Sequence, residues 1–206
     1  MTTLLIAGAT GLVGKQVLAQ ALADAAVTRV IAPTRRPIDA HAKLDNPVVD
    51  YDHLPGFVAD AVVCTLGTTR KQAGSDAAFR KVDFDYVLAI AKAAREGGAM
   101  AFALTSSVGA NAASSFLYMR TKGEIEEAIA ALGYASYTVV RPAGLIGERA
   151  DKRLGEQIGN GLARGLSLLL PRRYRPVKAE AVAKTLLRAA LDATPGRHLI
   201  QSEAVA

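Results

Sequence analysis

The sequence predicts an α/β domain: a doubly wound parallel sheet with helices on both faces. Three observations predict it. Strand-like and helix-like segments alternate almost to the end of the 206-residue chain. Several strand candidates are continuous apolar runs, as parallel strands covered on both faces require. The first strand enters the first helix through a turn carrying three glycines, Gly8, Gly11 and Gly14. Such alternation closes into layers around one sheet, here expected in the order 3-2-1-4-5-6-7. The length fits one domain, 1–206, with a substantial core.

The first junction reads Leu4-Leu5-Ile6-Ala7-Gly8-Ala9-Thr10-Gly11-Leu12-Val13-Gly14. Strand 3–7 ends at Gly8, and helix 12–24 follows with Val13, Val17, Leu18 and Leu22 at helical spacing. Gly8 allows a tight turn, Gly11 lets backbone approach a pyrophosphate, and Gly14 lets the helix lie close to the strand. The phosphates would sit at the helix N-terminus, before the free N–H groups around Thr10, Leu12 and Val13. The bland alternative is an ordinary glycine-rich turn.

Further strands are expected at 28–33, 47–50, 61–65, 100–106, 136–141 and 197–200. Further helices are expected at 79–96, 115–132 and 179–192. The crossover from Thr34 to Asn46 is short and holds Pro37, so an irregular link or a single helical turn is expected there. At the end of the second strand an acid would bind the ribose 2′-OH of NAD. The chain has Thr34-Arg35-Arg36 instead, and paired guanidinium donors suit a 2′-phosphate; the alternative is a solvated pair. Asp50, ending the third strand, is a candidate acceptor for the adenine amino group, or else a turn cap. Leu66, Gly67 and Thr68 follow the fourth strand, where Gly67 would admit the cofactor closely or simply turn the chain.

The helix near 115–132 places Tyr118 and Lys122 four residues apart, on one side. A tyrosine can give a proton to a carbonyl oxygen as hydride arrives at the carbon. A neighbouring ammonium favours the phenolate that this cycle needs. Ser106, at the end of an apolar strand, would hold the carbonyl oxygen, and Lys122 also the nicotinamide ribose. Ser107 is the rival to Ser106, since strand alternation sends the two to opposite faces.

Charge is unevenly spread. Residues 1–140 carry 13 Lys/Arg and 13 Asp/Glu, so the net +6 lies wholly beyond them. Much of the excess falls in 143–178, a Gly- and Arg-rich stretch expected to be an irregular, substrate-side insertion. A mobile rim over 145–175 is expected, with Leu166, Leu168 and Leu169 covering an apolar part of an anionic substrate and Arg172, Arg173 or Arg175 pairing with its charge. A basic surface loop is the alternative. A nucleic-acid binder is disfavoured, because only Tyr174 offers stacking within the basic cluster. No apolar run reaches the ~20 residues of a transmembrane helix. The histidines His41, His53 and His198 have no metal-ligand spacing, so no metal is expected. The lone Cys64 fits a buried core position in a reducing compartment, and no leader is evident; cytoplasmic residence is the expectation.

These residues, in this order, resemble the atypical short-chain dehydrogenase/reductases, in particular the branch of HIV Tat-interacting-protein oxidoreductases. The matching stretches are Gly8-Ala9-Thr10-Gly11, Arg35-Arg36, Leu66-Gly67-Thr68-Thr69-Arg70 and Val82-Asp83-Phe84-Asp85-Tyr86-Val87. They continue with Thr105-Ser106-Ser107, Ser114-Ser115-Phe116-Leu117-Tyr118, Lys122-Gly123-Glu124 and Val140-Arg141-Pro142. The resemblance implies an NAD(P)-binding Rossmann fold, NADP(H) as cofactor, Ser106, Tyr118 and Lys122 in the reductase roles, and Pro142 beside the nicotinamide. The chain is shorter than extended members, so a small or open substrate site follows, and no substrate class is implied; the leading expectation is an NADP(H)-dependent oxidoreductase acting on a carbonyl or alcohol. Members of that branch also act through protein partners, which leaves a cofactor-binding regulator as the second expectation.

Overall fold

The computed structural model describes residues 1–146 and 171–205. The strands are β1 (Thr2–Ala7), β2 (Val27–Ile31), β3 (Leu44–Asp45), β4 (Ala61–Cys64), β5 (Ala101–Thr105), β6 (Ser136–Arg141), β7 (Leu145–Ile146), β8 (Val177–Lys178) and β9 (Gly196–Gln201). The helices are α1 (Leu12–Ala23), α2 (Arg70–Ala73), α3 (Asp76–Arg80), α4 (Tyr86–Glu96), α5 (Leu117–Ala130) and α6 (Ala179–Asp192). Seven strands form one parallel sheet in the order β3-β2-β1-β4-β5-β6-β9. This is the expected doubly wound arrangement in a single domain.

Strand alternation divides the core in two. Leu4, Ile6, Val63 and Ala103 point to the face covered by Val13 and Val17 of α1 and Val182 and Leu186 of α6. Their neighbours Leu5, Val62, Phe102 and Leu104 point the other way, onto Val87 and Ile90 of α4 and Ile125 and Ile129 of α5. Each fully buried aliphatic side chain contributes ~1.5–3 kcal/mol against leaving it in water. The sheet is thereby fixed between two helical layers, and the strand ends carry the site.

Two elements differ from expectation. The third strand is not 47–50 but Leu44–Asp45, paired with Val30 and Ile31. Beyond it, Asn46 Nδ2 donates to the Ala32 carbonyl at 2.6 Å and to Thr34 Oγ1 at 2.8 Å. Pro47 has no N–H for the ladder. Regular pairing therefore stops, and one isolated bridge, Thr34 to Val48, continues the edge. The helix expected at 79–96 begins at Asp76 and is interrupted by a π turn over Lys81–Asp85 before α4. Such wide turns insert a residue and re-aim side chains, often at functional sites.

After β6 the chain forms a two-stranded parallel ribbon, with Leu145 opposite Val177 and Ile146 opposite Lys178. Its base is knotted by Ser202, which is 1% exposed. The Ser202 hydroxyl accepts from the Ala143 N–H at 3.1 Å and donates to the Arg175 carbonyl at 3.4 Å. Three chain segments thus meet beside the end of β6. Most of the expected insertion, including Leu166, Leu168 and Leu169, lies outside the described residues.

Candidate functional site

The β1–α1 turn is shaped by contacts that side chains would obstruct. Gly8 has φ +87°, a left-handed conformation that favours glycine. A Cβ on Gly14 would lie 2.0 Å from the Gly8 carbonyl oxygen, so α1 can approach the turn only with glycine there. The Thr65 hydroxyl, just past β4, braces the same turn by donating toward the Ala7 and Gly8 carbonyls at 3.1 and 3.2 Å. Gly11 caps α1 without a side-chain hydrogen bond, and the first turn of α1 has no acid. Its opening N–H groups are left for an anion, at the positive end of the helix dipole. These features fit a dinucleotide pyrophosphate. Thr10 is exposed, and Leu12 and Val13 begin the helix, so their backbone faces the same place.

Arg35 and Arg36 stand exposed past β2, and neither forms an ion pair among the described residues. The Thr34 hydroxyl donates to the Arg36 carbonyl at 2.7 Å and so shapes the turn that presents them. Asp50 lies in a turn beyond β3 rather than ending it. Its carboxylate accepts the Asp52 N–H at 3.0 Å and faces His53 Nδ1 at 3.2 Å. The backbone hydrogen bond first, and His53 second, hold its carboxyl below the usual range. These contacts are those of a turn cap.

Lys122 is the centre of the buried polar part. Its Nζ lies 2.8 Å from Asp83 Oδ1, with side-chain exposures of 7% and 1%. The second Asp83 oxygen accepts the Thr68 N–H at 2.7 Å. A Cβ on Gly67 would sit 3.2 Å from Asp83 Oδ1 and 3.5 Å from Lys122 Nζ, so the Leu66-Gly67-Thr68 segment lies directly on the pair. Burial opposes the Lys122 ammonium, but the Asp83 carboxylate and, after it, Tyr118 outweigh burial, and the net shift is upward. Lys122 is therefore charged at neutral pH. Tyr118, one helical turn earlier, is 39% exposed and packs its ring against Phe79 with centroids 5.8 Å apart.

The two serines, both just past the end of β5, make different contacts. Ser106 is turned to α5, where its hydroxyl donates to Glu126 in a short hydrogen bond. Glu126 is 1% exposed and is gripped by Arg141, Nε at 2.9 Å and Nη2 at 2.5 Å. Ser106 thus gives its one hydroxyl hydrogen to a buried network. Ser107 carries only a 3.3 Å contact to the Val108 carbonyl. It adjoins Pro142, whose carbonyl accepts the Val108 N–H at 3.1 Å.

Sequence reasoning missed Asp83, Glu126 and Arg141 as parts of this site. One signal pointed to Glu126: it continues the i, i+4 stripe of Tyr118 and Lys122 by one turn, between the buried Ile125 and Ile129. Asp83 stood only inside the matching stretch Val82-Asp83-Phe84-Asp85-Tyr86-Val87, with no role attached, because the π turn that places it has no simple pattern. Cys64, fully buried beside this network, has its thiol pushed by burial to about 12, so it is no nucleophile at neutral pH.

A family model described as NAD(P)H-binding matches residues 8–193. The chain belongs to this NAD(P)H-binding family. Protein HTATIP2 of Rattus norvegicus is 36% identical over 97% of this chain and 86% of that one. Protein FMP52, mitochondrial, of Candida albicans is 34% identical over 88% of this chain and 85% of that one. Among solved structures, a short-chain dehydrogenase/reductase family oxidoreductase from Burkholderia thailandensis superposes with TM-score 0.74 and 19% identity, over 98% of this chain and 92% of that one. WbmH of Bordetella bronchiseptica, in complex with NAD+, gives 0.72 at 15% identity, over 98% and 76%. These likenesses establish the fold. The expectation of cytoplasmic residence is corrected: FMP52 relatives in three fungi are named mitochondrial. A single buried thiol does not separate the two compartments. Among the described residues, no helix of this NAD(P)H-binding protein is long and apolar enough to cross a membrane, and no acid, His or Cys cluster gathers as for a metal.

Proposed function

We propose that the chain is an NADP(H)-dependent oxidoreductase acting on a carbonyl or alcohol. The observation that carries the reading is Lys122: a buried, charged lysine one turn from Tyr118, under the Gly67 segment. When bound, the cofactor supplies the hydride. Tyr118 gives or takes the proton at the substrate oxygen, and the Lys122 ammonium favours its phenolate. Lys122 also holds the nicotinamide ribose. Ser107, not Ser106, donates to the substrate oxygen, with Pro142 bordering the ring. Arg35 and Arg36 bind the 2′-phosphate through charge-assisted hydrogen bonds, and Gly8, Thr10, Gly11, Leu12, Val13 and Gly14 form the pyrophosphate turn. Leu66, Gly67 and Thr68 flank the nicotinamide half, while Asp50 serves its turn rather than adenine.

Exposed Arg172 and Arg173 stand at the end of the ribbon anchored by Ser202 and favour an anionic substrate. A panel of carbonyl compounds, scored by NADPH oxidation, tests the reading; charged members should be preferred. A second reading has one specific support. Phe116, two residues before Tyr118, is 74% exposed. In a cofactor-dependent regulator that ring would be covered by a protein partner instead of a substrate. Binding of NADPH with no carbonyl reduced across the panel would favour it.

A further inference from the structure

Asp83 does more than hold Lys122 in place. The two charges lie 2.8 Å apart, at side-chain exposures of 7% and 1%, so a group in direct contact with the ammonium, such as the Tyr118 oxygen, still feels it, whereas at distances well beyond that separation the two fields largely cancel. The other buried charge on α5, Glu126, is likewise cancelled by Arg141. Glu124, on the exposed side of the helix, is paired with Arg80. The buried wall under Gly67 and Thr68 therefore presents no net charge, although it contains a lysine. A nicotinamide ring changes by one positive charge between its reduced and oxidised forms. A bare ammonium in that wall would discriminate strongly against the oxidised form, and the pair does not.

We propose that Asp83 is the residue that balances the site between NADP+ and NADPH, by neutralising Lys122 beside the nicotinamide ring. The inference rests on the proposed placement of the nicotinamide at Lys122. It assigns Asp83 a positioning and charge-balancing role, without contact to the reacting atoms. Asp83 is suited to it because its other oxygen is occupied by the Thr68 N–H, which fixes the carboxylate in one orientation. The conservative substitution Asp83→Asn keeps that acceptor and the side-chain shape while removing the charge.

The test is calorimetric titration of NADP+ and of NADPH into wild type and variants at one pH and ionic strength. In Asp83→Asn the ratio of Kd for NADP+ to Kd for NADPH should rise about tenfold, as expected for a unit charge several ångströms away at an effective dielectric near 20 or above. In Lys122→Met, which leaves the carboxylate instead, the ratio should move the opposite way, so the proposal remains testable if one variant fails to fold. In the double variant Asp83→Asn, Lys122→Met the ratio should return to within about twofold of wild type, because both charges are gone. Asp60→Asn, at the opposite end of β4, should leave the ratio unchanged. Equal losses of affinity for both cofactors in Asp83→Asn would mean a structural role only and would overturn the proposal. So would a ratio that moves the same way in Lys122→Met as in Asp83→Asn. Failure of the wild type to bind either cofactor would remove the proposed function itself, and the proposal with it; binding of both with an unmoved ratio would remove the proposal alone.

Discussion

Ser106 donates its hydroxyl hydrogen to the buried carboxylate of Glu126, across the gap between the end of β5 and the middle of α5. The same carboxylate accepts two hydrogen bonds from Arg141 at the end of β6. One buried acid thus ties α5 to two strand ends, one turn beyond Lys122. This fixes the rotation of the helix that presents Tyr118.

The two serines should therefore separate by phenotype. Ser106→Ala removes one of three donors to a buried carboxylate and should cost ~1.5–3 kcal/mol of stability. Turnover per folded molecule should fall little. Ser107→Ala, which breaks only a 3.3 Å contact to a neighbouring carbonyl, should destabilise less than Ser106→Ala and lower turnover by about 10²-fold, as loss of an oxyanion donor does. Urea denaturation with steady-state kinetics on the same preparations checks both. The reverse pattern would return the substrate-side role to Ser106.

Arg35 and Arg36 should set cofactor choice. Replacing both by alanine removes two charge-assisted contacts to the 2′-phosphate, each ~1.5–3 kcal/mol. NADPH affinity should fall more than about tenfold while NADH affinity hardly changes. Fluorescence titration with both cofactors reads this directly. Equal affinity of the wild type for NADPH and NADH would exclude a role for the pair in selection.

Gly14→Ala tests the phosphate turn. The new methyl would sit 2.0 Å from the Gly8 carbonyl oxygen, a backbone atom that cannot swing aside. Either α1 is displaced or the turn opens. Cofactor binding should be lost to detection and the melting temperature lowered. Retained NADPH affinity in a folded variant would show that the turn does not hold the pyrophosphate.

The Lys122–Asp83 pair gives stability a pH dependence at the alkaline end. The Lys122 ammonium titrates higher in the fold than in the unfolded chain. Its contribution is complete below the unfolded value of ~10.4 and is lost as pH rises through the folded value. Asp83→Ala should abolish that alkaline limb and cost ~3–5 kcal/mol at neutral pH, because an ammonium is left buried without its partner. Thermal melts across pH 7–11, compared between the two proteins, measure it; an unchanged alkaline limb would mean that another group controls it.

Much of the scaffold was legible because its signals are local. The apolar runs at Leu4–Ala7 and Ala61–Cys64 have the length and the flanking turn residues of buried parallel strands, and the glycines between Gly8 and Gly14 fix the first turn. The i, i+4 spacing put Tyr118 and Lys122 together without any tertiary information. The third strand was misplaced because Asn46 supplies side-chain hydrogen bonds that imitate a ladder, and no periodicity records that. The sequence shows that Ser106 and Ser107 diverge but not which of them meets Glu126. Asp83 was invisible for a related reason. Its contact with Lys122 spans 39 positions and depends on a π turn, so it belongs to the packing of that turn against α5 rather than to either segment.

The central claim is that Tyr118 transfers a proton while hydride passes between NADPH and a carbonyl. The most direct measurement uses NADPH deuterated at the transferring position, incubated with the carbonyl panel and followed by mass spectrometry of the alcohols. Wild type should place one deuterium on the carbonyl carbon of at least one compound. Tyr118→Phe keeps the ring against Phe79 and the cofactor turn intact, so it should bind NADPH normally and transfer deuterium 10²–10⁴-fold more slowly. Transfer by Tyr118→Phe at the wild-type rate would contradict the account, as would a wild type that binds NADPH and labels nothing.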